Sequence, residues 1–261
     1  MSEQPAPPWR TRARGRPARQ PLSQQAVVDA ALAVLGREGL GGLSMRRVAQ
    51  ELGTGPASLY AHVSGREELL ELLVDRASAE ISVPAPDPER WAEQVRDVAR
   101  QAYRVYAAHT ELALASLATI PTGPNALRVT DGLLAILLAG GVPPQPAAWF
   151  LDRLFLYIAG DAYEGALYAA KVRASGQDQR TWWTRLRAQL TEYYRSLPPG
   201  RYPQVQEYMT ELMRGDGDVR FDFGLDLLIQ GVAAHVTTES PPGGSGPGGS
   251  GPGGSGRGGA G

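Results

Sequence analysis

An all-α fold is predicted by three features of the chain. Apolar residues recur at helical spacing nearly throughout residues 22–238, no alternating run of useful length suggests a strand, and cap and turn residues punctuate the periodic segments. The flanks differ in composition. Residues 1–21 are rich in Pro and Arg, and residues 239–261 are dominated by a Pro-Gly-Gly-Ser-Gly repeat starting at Pro242, Pro247 and Pro252. Such a tail cannot bury enough apolar area to offset its conformational entropy, so a flexible appendage is expected there.

The first helix is expected to start at Ser23, with Leu22 and Val27 as a hydrophobic staple, and to end in the glycine-rich stretch 39–42. Val27, Ala30, Ala31, Val34 and Leu35 mark its buried face. Ser44 caps a short second helix through Leu52, which Gly53 stops in the left-handed conformation. A third helix lies in TGPASLYAHV, with Thr54 as its cap and Pro56 in its first turn. Ser64-x-x-Glu67 forms a capping box for a fourth.

Pro84-Ala85-Pro86 then separates a front module, residues 22–82, from a second helical region, residues 86–238. Its helices are predicted at about 88–108, 111–119, 124–140, 145–174, 178–196, 203–214 and 218–237.

Composition excludes several kinds of chemistry. The chain has no cysteine, hence no disulfide, thiolate nucleophile or Cys-based zinc site. It has three histidines and no His/carboxylate spacing suited to a metal, and no cofactor is expected. A phosphate-binding Gly-rich loop, a G-x-S-x-G elbow and an H-E-x-x-H helix are all missing, which argues against an enzyme. The uncharged run at 132–151 is interrupted by Gly140-Gly141 and three prolines, so it reads as two helix ends and a turn and not as a membrane span. With no apolar leader at the N-terminus, the expectation is a soluble cytoplasmic protein.

The front module carries the informative text. Two short helices with a four-residue break suggest a helix-turn-helix, which needs a small residue at the crossing, glycine in the turn and an aliphatic anchor on the second helix. Ala49, Gly53 and Leu59 stand at those offsets. Residues 23–73, through LSMRRVAQELGTGPASLYAHVSGREELLELLVD, resemble the DNA-binding domain of the TetR family of bacterial transcriptional regulators. The Leu59-Tyr60-x-His62-Val63 run is the most specific part, and RFDFGLDLLIQGVAAHV (220–236) resembles the closing helix of its tetracycline-repressor-like subgroup.

The resemblance implies that the helix bearing Ser58, Tyr60 and His62 enters the major groove of double-stranded DNA. Tyr60 and His62 would reach phosphates, Arg46 a phosphate or a guanine edge, and Arg66 the backbone. Thr54, Gly55, Pro56 and Ala57 offer little hydrogen-bonding capacity, so apolar contact with a thymine methyl is the expected readout. Ahead of this module, Arg10, Arg12, Arg14, Arg16 and Arg19 fall within ten residues without an acid among them. Arg14-Gly15-Arg16-Pro17 has the core of an AT-hook, suited to narrow A·T-rich minor grooves.

The resemblance also makes the helix spanning 145–174 and the last helix halves of an intersubunit four-helix bundle in a homodimer. Ala159, Ala162 and Ala166 are the expected contacts on the first. On the second they are Phe223, Leu227, Gly231 and Ala234, distinct from a core stripe of Phe221, Leu225, Leu228, Ile229 and Val232. A small-molecule effector pocket is implied between the modules, with candidates Tyr103, Tyr106, His109, Asn125, Arg128, Trp149, Phe155, Tyr157 and Tyr163. Together these imply a repressor of a palindromic operator, released by an effector such as an antibiotic. An effector-independent architectural binder of A·T-rich DNA is the alternative use of the same module.

The arginine arm carries its own test. Each phosphate neutralised adds about 0.9 to the slope of log K against log salt. Deleting residues 1–20 should therefore flatten that slope, measured by fluorescence anisotropy with duplex DNA. An unchanged slope would remove the arm from the interface.

Overall fold

A computed structural model describes residues 22–117, 120–198 and 200–236, so the arginine arm and the C-terminal repeat lie outside the described residues. The described part is all helical. α1 (Gln24–Gly42) is capped by Ser23, whose Oγ accepts from the Ala26 N–H, and it kinks at Gly39 (φ 70°) before a last turn made of the predicted terminator itself. α2 (Met45–Glu51) is capped by Ser44 as expected. α3 (Pro56–Leu59) is one turn long and begins at Gly55, so Thr54 is not its cap.

α4 (Arg66–Ser78) starts later than its capping-box text suggests. Gly65 holds the cap position, the third helical residue becomes Glu68, and Glu68, in place of Glu67, accepts from the Ser64 N–H at 2.6 Å. The Ser64 side chain, and after it this N–H bond, hold the Glu68 carboxyl below its usual range.

The body comprises α5 (Trp91–Ala108), α6 (Thr110–Ser116), α7 (Pro124–Ala139), α8 (Pro144–Ser175), α9 (Gln179–Ser196), α10 (Pro203–Glu207), α11 (Met209–Leu212) and α12 (Gly217–Ala233). The single helix predicted over 203–214 is broken at Tyr208 (φ −103°, ψ 21°) into two short pieces. α5 and α8 form the centre, with α6, α7 and α12 packed around them. Val95, Val98, Ala99, Ala102, Val105 and Tyr106 give α5 one continuous buried face, the expected helical stripe.

α12 is fastened to α5 by two ion pairs, Arg96–Asp226 at 2.6 Å and Arg100–Asp222 at 2.8 Å. Phe221 anchors it more deeply, with its ring stacked on Tyr103 and Tyr157. By contrast α9 buries no residue fully and meets α8 through Trp182 and Trp183 beside Tyr168. No helix among the described residues is long and apolar enough to cross a membrane.

Leu154 on α8 is fully buried in the common core. Leu154→Ala should lower unfolding free energy by about 3 kcal/mol, the loss expected for an aliphatic side chain in a core that cannot collapse. Denaturant titration should show a lower midpoint and an unchanged slope.

Candidate DNA-reading head and effector pocket

The reading head is built by three local devices. Gly53 takes φ 61° directly after α2, where a Cβ would be strained. Its N–H donates to Gln50 and that of Thr54 to Ala49, at 3.0 and 2.9 Å, closing a Schellman turn that sets the direction of α3. Leu59 and Val63 are then fully buried in the core.

Anchoring α3 by that side leaves Gly55, Pro56, Ala57, Ser58 and Tyr60 on the outside, Tyr60 at 55% exposure. Thr54 and His62 are half-buried at the rim, and the His62 carbonyl accepts from Gln24 Nε2 at 3.2 Å. Arg46 is exposed at the start of α2. Its neighbour Arg47 is engaged between Glu38 and Glu51, and Glu51 also meets Arg37.

Arg66, expected at the DNA backbone, also has a role within the protein. Its guanidinium donates to the Leu40 and Leu43 carbonyls, both at 3.3 Å, and so braces the α1–α2 turn. Chemically the surface has an almost neutral centre flanked by a cation and a phenol. It can approach a groove closely while its edges meet phosphate oxygens.

Behind the head, α4 is tied to α7 by reciprocal caps. Gly123 holds the cap position of α7 and has no side chain to satisfy the first-turn N–H groups. Asp75, from α4, takes over that role. Its carboxylate accepts from the N–H groups of Asn125 and Ala126 at 2.8 and 2.9 Å, and from Asn125 Nδ2 at 2.9 Å. A Cβ on residue 123 would collide with that carboxyl group, so glycine is required by the close approach. In return, Arg128 on α7 donates to the carbonyls of Ser78 and Ile81 at the C-terminal end of α4, at 3.1 and 2.9 Å. Negative charge at one helix start and positive charge at another's end both oppose the local dipole.

The same two helices line a cavity of about 420 Å³. Val74, Ser78 and Ile81 come from α4 and the turn after it, Ala126, Val129 and Thr130 from α7, and Leu151 and Phe155 from α8. Tyr106 rises from α5; burial pushes its phenol upward, against a hydrogen bond to Ser116. Such an apolar cleft with a few hydroxyls fits a small organic ligand. Of the nine sequence candidates, only Tyr106 and Phe155 line it.

The other candidates stand elsewhere. Asn125 and Arg128 belong to the interlocking caps. Tyr103 and Tyr157 hold Phe221, and the Tyr157 hydroxyl donates to the Phe221 carbonyl at 2.9 Å. Burial raises the Tyr157 phenol well above its ordinary range. Tyr163 packs against the core, Trp149 is on the outer face of α8, and His109 lies 3.9 Å from Glu80 at the α5–α6 corner.

The outer surface of α12 presents Phe223, Leu227, Gly231 and Ala234 to solvent, opposite the buried Phe221, Leu225, Ile229 and Val232. On α8 a correction is needed. Ala159 and Ala162 are buried within the protomer, at 2% and 1% exposure, and cannot face a partner; Ala166 is half-buried. The outward stripe is instead Trp149, Leu156, Gly160 and Leu167.

A helix-turn-helix head joined to an all-helical body has the build of a DNA-binding regulator. Residues 27–73 match the family described as bacterial regulatory proteins, tetR family, and residues 83–236 match the tetracyclin repressor-like C-terminal domain. The chain therefore belongs to the TetR family: it is a DNA-binding transcriptional repressor and not an enzyme.

The HTH-type transcriptional repressor DrrR1 of Streptomyces coeruleorubidus is 32% identical over 221 residues, which cover 83% of this chain and 80% of that protein. The class C tetracycline repressor of Escherichia coli is 26% identical over 214 residues, covering 81% and 90% of the two chains. Among solved structures, the Streptomyces coelicolor TetR family protein ActR in complex with actinorhodin superposes with a TM-score of 0.74 at 37% identity, covering 84% of this chain and 98% of that one.

Asp75→Ala would leave two backbone N–H groups and one side-chain amide without their acceptor at the junction. The expected loss is about 2 kcal/mol, the cost of orphaned buried donors. Thermal unfolding should register it, with the helical content of the folded state unchanged by circular dichroism.

Proposed function

We propose that the protein is a homodimeric repressor of a palindromic operator, released when a small, largely apolar molecule fills the cavity behind α4. The observation that carries this reading is the shared wall: Val74 and Ser78 line the cavity from the helix that leads out of the reading head. A ligand there touches α4 directly, so its affinity depends on where α4 sits. That differential affinity is what release requires.

The outward apolar stripes of α8 and α12 support a dimer, whose two heads would meet half-sites about 34–36 Å apart. In this reading Arg46, Tyr60 and His62 fix register on phosphates, the α3 surface from Gly55 to Ser58 reads the groove, and Arg14 and Arg16 enter the flanking minor groove. Domain limits of 22–82 for reading and 86–238 for sensing and dimerisation follow, and the work is done on the bacterial chromosome in the cytoplasm. ActR was crystallised with actinorhodin. A bulky aromatic compound of that kind, including an antibiotic handled by an efflux pump, suits a cavity of about 420 Å³.

Selection from a randomised duplex pool tests the reading. Enrichment of one inverted repeat supports it; uniform enrichment of A·T-rich duplexes would favour the architectural role. For the dimer, Leu227→Asp places a charge on the exposed stripe of α12 without touching the core. Sedimentation should then report a monomer, and affinity for the selected repeat should fall at least tenfold.

A further inference from the structure

We infer that the cavity selects a cationic effector, a fused aromatic body carrying a protonated amine, over neutral or acidic molecules of the same shape. The inference rests on the reading of the cavity as the effector site and adds its charge preference. Among the described residues lining the cavity, Asp152 is the one ionised side chain, and no Lys, Arg or His joins it. Its side chain is 60% exposed, which puts the carboxylate at the mouth, whereas Tyr106 is buried at the inner end. A molecule held by its apolar part against Leu151, Phe155 and Val129 could therefore present a charged group to Asp152.

An acidic group has nothing comparable to meet. The N–H groups at the start of α7, an obvious anion site beside the cavity, are already occupied by the Asp75 carboxylate. The hydroxyls are committed too: Ser78 donates to Val74, Ser116 to Ala113 and Thr130 to Ala126. Arg128 of α7 does not line the cavity, and its guanidinium donates to the Ser78 and Ile81 carbonyls.

Arg153 pairs with Asp152, but it does not line the cavity, and both side chains are mostly solvated. Such a pair is weak. A ligand amine brought to the mouth by apolar burial competes with it on favourable terms. The gain is that of one partly exposed ion pair, about fivefold in affinity.

The test uses three fluorescent probes of matched shape, anthracenylmethylamine, anthracenylmethanol and anthracene carboxylate, titrated into the full-length protein and into Asp152→Asn at neutral pH. The expected order is amine tightest by about fivefold, alcohol next and carboxylate weakest. Asp152→Asn should bring amine and alcohol together while leaving the alcohol unchanged.

Equal affinity for amine and alcohol in the native protein, a carboxylate that binds as well as the alcohol, or a preference that survives Asp152→Asn would overturn the charge assignment alone. The cavity reading stands in those cases if alcohol binding is lost in Ala126→Trp, which fills the space. Failure of all three probes to bind, or alcohol binding unaffected by Ala126→Trp, would overturn the effector site and the charge assignment with it. The circular dichroism spectrum and thermal unfolding of each variant, measured alongside, report that it has folded.

Discussion

Asp75 lies at the junction on which the rest of the molecule depends. A carboxylate on a helix that leaves the helix-turn-helix head serves as the N-terminal cap of a helix in the C-terminal body, because the body helix begins at a glycine with no cap of its own. Arg128 returns the interaction by closing the other helix's C-terminal end. Each half satisfies backbone groups that would otherwise be orphaned. α4 and α7 are thus held in register by hydrogen bonds between opposite charges and helix ends, which are directional. Apolar packing alone would let them slide. The cavity is lined by residues on either side of this register, so in the proposed mechanism a molecule occupying it would bear on the position of α4.

The body around the cavity is built asymmetrically. α12 is drawn onto α5 and α8 by Phe221 between two tyrosines and by two Arg–Asp pairs, all on one side. Among the described residues nothing covers its other side, with Phe223 and Leu227, or the outward stripe of α8. A monomer in water gains nothing from large apolar side chains in such a stripe. In the proposed dimer they become the core of the interface, and the same rigid body then sets the spacing of the two heads.

What the text of the chain revealed, and what it concealed, follows from how local the responsible physics is. Ser23, Ser44, Gly53 and Pro56 act on their immediate neighbours, so the helix-turn-helix was legible. The Ser64 box slipped by one residue because a helix starting at Gly65 brings Glu68, and not its identical neighbour, within reach. The junction was not legible. Asp75 looks like any solvent-facing acid on α4, and only the fold brings Gly123 to it across about fifty positions. Aromatic side chains misled in the other direction: Tyr103 and Tyr157 occur at helical spacing and serve packing, while the cavity is lined mainly by aliphatic and small residues that carry no signal. On α8 the small alanines suggested a close interface, yet Ala159 and Ala162 turn inward and Gly160 turns outward.

The central claim is that the occupied cavity and the operator require different placements of the two reading heads. The chain has no cysteine, so Ala33→Cys on the exposed side of α1, away from the proposed DNA contacts, gives one spin label per protomer. Pulsed electron resonance then measures the distance between heads on the selected duplex, with and without anthracenylmethylamine as the probe ligand. The account predicts one narrow distance on DNA, compatible with half-sites about 34–36 Å apart, and a shifted, broader distribution once the ligand binds and the duplex is released. No distance between protomers at all, or an identical distribution with the cavity filled, would contradict it.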